Sequence, residues 1–557
     1  MNSAFPWRGR VARTGHARRW RVGSTVLYLA LPLLPAAVGG QSASAPAAQQ
    51  GGRETVAAYV FLVGDDTLGV ERYTRTPSRL TGDVALRGQP RLVYDVPVVG
   101  DTAFGPMSLV VYGPGASADA APLQRALITM MGDTAIAEVM VNGSSRLQKI
   151  ASQANALPMV NQSAAMFELA VARWRQAGST TAHFPIFFTA GGQTLPTTMT
   201  AVTSDSVEMV IGPQHSSMVV DSDGRVIRIH TPSQRLTIVR VTGEAARGIS
   251  LARPDYSAPA DAPYRALEVA VPTPEGHTLA GTLTVPIAAS GRVPAVVTIT
   301  GSGAQDRDES IPFVPGFRPF RQVADTLGRR GIAVLRLDDR GYGGSGGNAA
   351  TSTTADYAND IRAAVAWLRE RPEIDPARIA LVGHSEGGMI APMVAATDSS
   401  LAGIVLMAGP AKSLGEIIPY QIRYAVDHDT SFAPAARDSI YQAQKAIFDS
   451  TAARTPWMRF GLPYDPLPTA RQVSVPVLIM QGATDRQVTA DQADALATAI
   501  RSGGNTDVTV LLLPAHNHLF LPDPDGNPAG YVRLAVSRLG PETLGPIADW
   551  LVAHMKP

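Results

Sequence analysis

The chain has 557 residues and contains no cysteine. Disulfide bonds, thiolate nucleophiles and cysteine-ligated metal sites are therefore excluded. The zinc-binding pattern H-E-x-x-H is also absent, and we expect no metal and no other cofactor. Charged residues make up only 17% of the chain and the formal net charge is +1. The sequence thus lacks the basic surface of a nucleic-acid-binding protein, and no nucleic-acid partner is expected.

Acidic residues are missing from residues 1–53, where six arginines precede an apolar run at residues 26–38. A charged region followed by a short apolar region is typical of a secretory signal peptide. The run is shorter than the about 20 residues of a membrane span, and Pro32 and Pro35 interrupt it. We therefore expect a signal peptide at residues 1–45, export to the periplasm or the extracellular space, and no permanent membrane span. A transit peptide has a similar composition and is the alternative.

Two domains are predicted after this leader, because the chain is too long for one core. Residues 54–242 contain short alternating runs separated by turn signals, which predicts a mostly antiparallel β domain. Within it we expect a helix at residues 162–176 and a hairpin at residues 219–229. No chemical constellation is visible there, and the role of this domain stays open. Residues 243–263 are rich in Ala, Pro and Gly and are predicted to be a linker.

Residues 264–557 alternate strand-like and helix-like segments. This alternation predicts an α/β fold with a mainly parallel sheet that helices cover on both faces. A helical insertion at about 414–466 is too long for a plain crossover and is predicted to be a cap over the pocket. Its aromatic residues, among them Trp457, either line that pocket or pack the cap onto the sheet.

A glycine-flanked serine marks one junction between a strand and a helix in this second domain. Residues 378–388 read R-I-A-L-V-G-H-S-E-G-G, and Ser385 stands between an apolar run and a helix-like stretch. This is the context of a G-x-S-x-G nucleophile elbow, in which the serine takes strained dihedral angles and glycines permit a tight turn. A second match, around Ser345, has no adjoining strand or helix and is interpreted as a Gly-rich loop. Ser385 is therefore the predicted nucleophile.

A nucleophilic serine needs a base and a carboxylate that orients the base. Asp485 follows a strand-like run at residues 475–481, at the position where an open parallel sheet builds its site. Another strand-like run leads into His516 and His518, and the pattern alone leaves both as candidates for the base. The chain order of serine, aspartate and histidine is that of α/β-hydrolases.

Further motifs of this half resemble the esterase and serine-aminopeptidase-like branch of the α/β-hydrolase superfamily. Residues 301–308 read G-S-G-A-Q-D-R-D and are similar to the oxyanion loop of that branch, although many relatives have His-Gly where this chain has Thr300-Gly301. Residues 339–345 are similar to its D-x-R-G-x-G-x-S turn, and residues 517–520 to the ending that carries its histidine.

This resemblance implies an α/β-hydrolase fold and favours His518 over His516 as the base. It also implies that the backbone N–H groups of Ser302 and Glu386 hold the oxyanion. The sequence therefore predicts an exported carboxylesterase that cleaves small-molecule ester or acyl substrates by means of Ser385, Asp485 and His518. An aminopeptidase or other amide hydrolase with the same triad is the alternative, and a binding protein without catalysis is a third reading. Acyl specificity, alcohol specificity and oligomeric state stay open.

Overall fold

The computed structural model describes residues 55–556 except for short gaps, and the predicted signal peptide lies outside the described residues. The gaps are residues 64–65, 100–102, 115–120, 142–143, 213, 250, 252–253, 288–290, 312–313, 315 and 431. No helix in the described part of the chain has both the length and the apolar character that a membrane crossing requires.

The first sheet contains 16 strands among the described residues, and it is antiparallel except where β10 meets β11. The strands are β1 (Thr55–Val63), β2 (Asp66–Thr76), β3 (Arg79–Leu86), β4 (Pro90–Val99), β5 (Ala103–Phe104), β6 (Met107–Pro114), β7 (Gln124–Met131), β8 (Thr134–Val141), β9 (Ser144–Ala151), β10 (Leu157–Met159), β11 (Thr181–Phe188), β12 (Gln193–Ala201), β13 (Ser206–Ile211), β14 (Gln214–Val220), β15 (Val226–Thr231) and β16 (Leu236–Thr242). Their order is β10-β11-β12-β13-β14-β15-β16-β1-β2-β3-β4-β6-β7-β8-β9, with β5 paired to β4.

This sheet curls back on itself, because its two edge strands, β9 and β10, are joined by residues 152–156 alone. The helix α1 (Phe167–Gln176) lies in the same hydrophobic core as the strands. It begins later than the sequence predicted, and the turn before it is held by the buried Glu71 carboxylate, which accepts the N–H groups of Ala164 and Ala165 at 2.7 and 2.9 Å. The predicted hairpin is confirmed, since β14 and β15 pair in antiparallel register.

The predicted linker is in part ordered against the second domain. It begins with the short helix α2 (Gly243–Gly248). Further along, the guanidinium of Arg307 lies 4.2 Å from the ring centroid of Tyr256, and Arg321 donates a hydrogen bond of 2.9 Å to the Ser257 carbonyl. These contacts tie the end of the segment to the domain that follows.

The second sheet contains eight strands in the described residues, in the order β17-β18-β20-β19-β21-β22-β23-β24. The strand β18 is antiparallel to both neighbours, and the pairs from β20 to β24 are parallel. The strands are β17 (Tyr264–Pro272), β18 (Thr278–Pro286), β19 (Val293–Ile299), β20 (Ala333–Leu337), β21 (Ile374–His384), β22 (Gly403–Met407), β23 (Val477–Gly482) and β24 (Val508–Leu513).

Helices cover both faces of this sheet. The remaining helices are α3 (Pro319–Arg329), α4 (Thr354–Arg369), α5 (Glu386–Ala395), α6 (Leu414–His428), α7 (Arg437–Thr451), α8 (Pro456–Gly461), α9 (Pro466–Ala470), α10 (Asp491–Ser502) and α11 (Pro541–His554), with 3-10 turns at Pro232–Gln234, Ala349–Thr351, Pro434–Ala436, Ala452–Arg454 and Pro528–Arg533. Neighbouring strand residues enter opposite cores: Val297 packs with α4, α5 and α10, whereas Val296 packs with α3 and α11. This layering and strand order confirm the predicted α/β-hydrolase fold behind a mostly antiparallel β domain.

The insertion predicted at about 414–466 consists of helices, α6 to α9. It has a small core of its own, in which Ile418 and Ile422 of α6 pack against Phe448 of α7 and Met458 of α8. The helix α8 begins at Pro456, because Thr455 caps the N–H of Met458 and the proline occupies the first turn. We call α6 to α9 the cap.

Candidate active site

Ser385 stands at the turn between β21 and α5, in a strained backbone conformation. Its φ of 54° and ψ of −115° lie in a region that residues other than glycine rarely adopt. A Cβ atom on Gly383 would lie 2.1 Å from the carbonyl oxygen of Gly387, and one on Gly387 would lie 2.1 Å from that of Ile299. The flanking glycines are therefore required by close backbone contacts, as the elbow pattern predicted.

The structure brings Ser385, His518 and Asp485 into one line of hydrogen bonds. The Ser385 hydroxyl lies 3.1 Å from His518 Nε2, and His518 Nδ1 lies 2.7 Å from Asp485 Oδ2. The three residues follow the carboxyl ends of β21, β24 and β23, which meet at one edge of the sheet. If Nδ1 carries the proton that Asp485 accepts, Nε2 is free to take the hydroxyl proton of Ser385.

Asp485 is held rigidly by donors other than the histidine. Its Oδ1 accepts the backbone N–H groups of Gln487 and Val488 at 2.7 and 3.0 Å, and Oδ2 also accepts Gln481 Nε2 at 3.0 Å. The carboxylate thus closes the turn after β23 and faces His518 at the same time.

His516, the other candidate base, lies away from Ser385. Its Nδ1 lies 2.8 Å from the carbonyl oxygen of Pro514, and its Nε2 lies 3.2 Å from the Glu542 carboxylate. The base loop, residues 514–523, is fixed by Asn517, whose Oδ1 accepts two backbone N–H groups of that loop. Of the two histidines, the fold therefore directs His518 to the nucleophile.

The predicted oxyanion donors lie on either side of the nucleophile. Glu386 is the first residue of α5, so its backbone N–H has no acceptor in a preceding helical turn. Ser302 is exposed, and its N–H has no protein acceptor within the described ranges. Next to it, a Cβ atom on Gly301 would lie 3.3 Å from Cβ of Ser385. The loop at residues 301–308, called the oxyanion loop below, thus passes directly beside the serine.

Thr300, which stands where many relatives have histidine, anchors this loop to the D-R-G-Y-G-G-S turn. Its hydroxyl donates to Asp339 at 2.8 Å, and the N–H of Gln305 donates to the same carboxylate at 2.8 Å. Burial raises the pKa of Asp339 well above its usual range. Arg307 is also structural, because it is buried between Asp338 and Glu268 at 3.0 and 2.8 Å.

The second G-x-S-x-G match is excluded as an elbow by its hydrogen bonds. The Ser345 hydroxyl donates to the Asp338 carbonyl at 2.6 Å and accepts the Ala280 N–H at 2.9 Å. These bonds tie the glycine-rich turn to β18. Ser345 therefore has a structural role in this fold.

The sequence analysis missed a contact between the cap and the elbow. The side chain of Glu386 is buried and accepts Trp457 Nε1 at 2.7 Å and the Thr354 hydroxyl at 2.6 Å. Burial raises the pKa of this carboxyl, although the hydrogen bonds from Thr354, Trp457 and Ser302 oppose the effect. The aromatic content of the cap was a signal for contact with the pocket, but the sequence did not indicate that Glu386 is the partner.

Glu309 and His384 form another buried pair beside the triad that the sequence did not assign. Glu309 Oε1 lies 2.7 Å from His384 Nδ1 and accepts the Gly301 N–H at 2.8 Å. His384 Nε2 lies 2.9 Å from the carbonyl oxygen of His518. Sequence proximity was the available signal, because Glu309 directly follows the oxyanion loop and His384 directly precedes Ser385.

A small cavity lies beside the oxyanion loop and the first turns of α5. The cavity lined by Gly301, Gly303, Tyr357, Glu386 and Ile390, among others, has a volume of about 20 Å³, enough for one water molecule. Among the described residues, no group of three His, Asp or Glu side chains has the arrangement of a metal site.

The second domain thus has the α/β-hydrolase fold, with a Ser-His-Asp constellation at the carboxyl edge of its sheet. A family model described as "Serine aminopeptidase, S33" matches residues 317–525. Esterase EstD of Thermotoga maritima is 27% identical over 283 residues, which cover 49% of this chain and 65% of EstD. Dipeptidyl aminopeptidase BIII of Pseudoxanthomonas mexicana is 26% identical over 296 residues, covering 50% of this chain and 38% of that protein.

Among solved structures, an esterase of Pyrococcus furiosus, Pf2001, has a TM-score of 0.39 and 16% identity, and the match covers 56% of this chain and 100% of that one. The chain spans only part of the length of the two curated relatives, 65% of EstD and 38% of the aminopeptidase.

Proposed function

We propose that the protein is a serine hydrolase that cleaves carboxylic esters through an acyl-enzyme. The observation that carries the proposal is the line of hydrogen bonds from Ser385 through His518 to Asp485. The similarity to EstD and to the S33 family model supports the same reaction class. We further propose that the protein is exported, on the basis of the composition of residues 1–53.

In the proposed reaction, Ser385 Oγ attacks the acyl carbonyl while His518 Nε2 takes its proton. Asp485 holds the imidazole in the required tautomer and stabilises the imidazolium that forms. The N–H groups of Ser302 and Glu386 donate to the oxyanion of the tetrahedral intermediate. His518 then protonates the departing alcohol, and a water molecule activated by the same histidine releases the acid. Each step uses groups of this chain, the substrate and one water molecule.

The carboxylates of the cap favour an ester over a peptide substrate. An aminopeptidase needs a carboxylate that is free to bind the α-ammonium group of its substrate. In the cap, however, Asp427 and Asp438 pair with Arg423, and Asp449 pairs with Lys445. Glu416 and Asp465 serve as helix caps. These five acidic side chains are therefore committed to local contacts.

The aminopeptidase reading remains the second candidate, because the S33 family model and aminopeptidase BIII both match this chain. The two are separated by measuring kcat/KM for short-chain p-nitrophenyl esters and for aminoacyl p-nitroanilides, with a reference serine peptidase assayed on the same pairs. We expect a larger ester-to-amide ratio than that of the reference, complete loss of activity in Ser385→Ala, and no effect of EDTA. A ratio equal to or below the reference would favour the aminopeptidase.

A fluorophosphonate probe tests the broader class independently of the substrate. We expect it to label the wild-type protein at Ser385 and to leave Ser385→Ala unlabelled. A folded wild-type protein that is not labelled would favour the binding-protein reading.

A further inference from the structure

We propose that Glu309 and His384 form a buried ion pair that positions the oxyanion loop and the base loop relative to Ser385. This inference rests on the proposed serine-hydrolase function. It assigns the two residues a positioning role, because neither is the nucleophile, the base or a predicted oxyanion donor.

The pair connects the three segments that carry the site. Glu309 Oε1 accepts the Gly301 N–H and lies within hydrogen-bond distance of His384 Nδ1. His384 Nε2 in turn lies within hydrogen-bond distance of the backbone carbonyl oxygen of His518. His384 is also the residue directly before Ser385. One side-chain pair therefore links the oxyanion loop, the elbow and the base loop by hydrogen bonds of 2.7 to 2.9 Å.

The partners of His384 determine its protonation state. Its Nδ1 faces a carboxylate oxygen and its Nε2 faces a carbonyl oxygen, and both of these atoms are acceptors. A neutral imidazole has one N–H, so beside an ionised Glu309 both contacts are hydrogen bonds only if the ring is an imidazolium. The Glu309 carboxylate then balances the charge in a site where an unpaired ion would be costly.

The electrostatic surroundings of the ring agree with this assignment. Burial by itself lowers the pKa of His384, but the Glu309 carboxylate, the His518 carbonyl and Asp485 outweigh it, and the net effect is a raised pKa. The other titratable group against the ring is the imidazole of His518, whose centroid lies 4.9 Å away. The ring centroid of Phe520, on another side, lies 6.1 Å from that of His384.

The pair is retained at a conformational cost. Glu309 has a φ of 56°, a left-handed conformation that is strained in residues other than glycine. Its second oxygen, Oε2, is buried and has no hydrogen-bond partner among the described residues. Strain of this kind concentrates at functional sites, where the surrounding structure holds it in place.

Loss of the pair is expected to slow the chemical step more than it weakens substrate binding. Gly301 lies in contact with Ser385, so a shift of the oxyanion loop moves the Ser302 N–H relative to the reacting carbon. Release of the His518 carbonyl likewise loosens the base. A misplacement of about 1 Å lowers rates by about 100-fold.

The test uses Glu309→Gln, His384→Gln and the double variant in the full-length protein. We expect each single variant to lower kcat and the rate of fluorophosphonate labelling by about 10- to 100-fold, with KM changed by less than about threefold. The double variant should be no slower than the slower single variant, because the two residues act as one unit. Thermal unfolding of each variant establishes that it is folded at the assay temperature.

His516→Gln and Glu542→Gln are matched controls, because they disrupt another histidine–carboxylate contact of the base loop, 3.2 Å long, that does not reach the elbow. We expect near wild-type rates from both. Unchanged labelling in folded Glu309→Gln, additive losses in the double variant, or equal losses in the controls would overturn the positioning role.

The ion pair itself is measured by NMR of the wild-type protein with ¹⁵N-labelled histidine. We expect both ring nitrogens of His384 to be protonated at pH 7 to 8 and only one in Glu309→Gln. A neutral His384 in the wild type would overturn the proposal even if every variant failed to fold. A wild-type protein that is labelled but cleaves no ester would contradict the substrate class alone, whereas one that is not labelled would contradict the proposed function.

Discussion

The two histidines of the base loop differ in what their ring nitrogens face. His518 lies between an oriented carboxylate and a hydroxyl, which is the arrangement that a general base needs. His516 lies between a backbone carbonyl of its own loop and the surface carboxylate of Glu542, so its ring does not reach the nucleophile. Only one of the two is therefore expected to matter for proton transfer.

We expect His518→Ala to lower kcat by about three orders of magnitude or more, as removal of a triad member does in other serine hydrolases. His516→Ala should cost far less. Both are checked by steady-state kinetics on one ester, and similar losses in the two variants would refute the assignment of the base.

The buried carboxyl of Glu386 makes the stability of the protein depend on pH. Because burial raises its pKa in the folded state, the folded protein holds this proton more tightly than the unfolded chain. Its contribution to stability is present below the unfolded pKa of about 4.3 and is lost as pH rises through the folded value. Gln at this position retains an oxygen acceptor and does not titrate.

We therefore expect the stability of Glu386→Gln relative to wild type to rise with pH above about 4.3 and then to level off. Urea unfolding at a series of pH values measures this difference. A difference that is constant or that falls with pH would contradict the raised pKa.

From the sequence, Ser385, Asp485 and the histidine pair His516 and His518 are expected near one another because each follows a strand, and strand ends converge in a parallel sheet. The pattern alone left both histidines as candidates, and the family resemblance favoured His518. Sequence reasoning did not find the partner of Trp457 or the pairing of Glu309 with His384. Those contacts join segments that lie far apart in the chain, and their geometry depends on how loops pack. The late start of α1 was missed for the same reason, since the turn before it is held by Glu71 of a distant strand.

At the scale of elements, the cap rests on the elbow through a hydrogen bond and apolar packing. Trp457 donates to Glu386, while Phe460 and Tyr464 stack at 5.1 Å and pack against the core below the sheet. We expect the hydrogen bond from Trp457 to restrain the cap when a long acyl chain binds.

We expect Trp457→Phe to raise the ratio of kcat/KM for long-chain over short-chain esters by up to about tenfold, the equivalent of one hydrogen bond of about 1.4 kcal/mol. The variant retains an aromatic ring but lacks the N–H that holds the cap to Glu386.

Phe460→Leu is the matched control, because this residue stabilises the cap without a hydrogen bond to the elbow. Assays with acyl chains of increasing length compare the variants. The same ratio in Trp457→Phe and wild type, or an equal rise in Phe460→Leu, would show that the hydrogen bond does not limit access.

At the scale of the whole molecule, the β domain and the segment after it both touch the supports of the oxyanion loop. Tyr342 of the D-R-G-Y-G-G-S turn lies near the backbone of Gly88 in the β domain. Tyr256 stacks on Arg307 within the oxyanion loop itself. The contact of Tyr256 differs from that of Tyr342, because Tyr256 belongs to a segment that is packed on the catalytic domain.

We expect a truncated chain that begins at residue 254 to fold and to be labelled at Ser385, since the catalytic domain has two cores of its own. A chain that begins at residue 262 should be less stable by about 1 kcal/mol, because it lacks Tyr256. Labelling rates and urea unfolding of the two chains provide the measurement. A folded chain from residue 254 that resists the probe would indicate that the β domain completes the site.

The pairing of β1 with β16 also has a consequence for the order of folding. Ala57 of β1 lies opposite Thr242 of β16. The strand β1 can therefore pair with β2 early, but it can pair with β16 only after the end of the domain has been synthesised. Contacts between such distant segments close slowly, because the intervening chain loses entropy on closure. Until then β1 presents an unpaired edge, which is a template for aggregation. Because β16 precedes the second domain in the chain, the strand that covers this edge is synthesised before that domain.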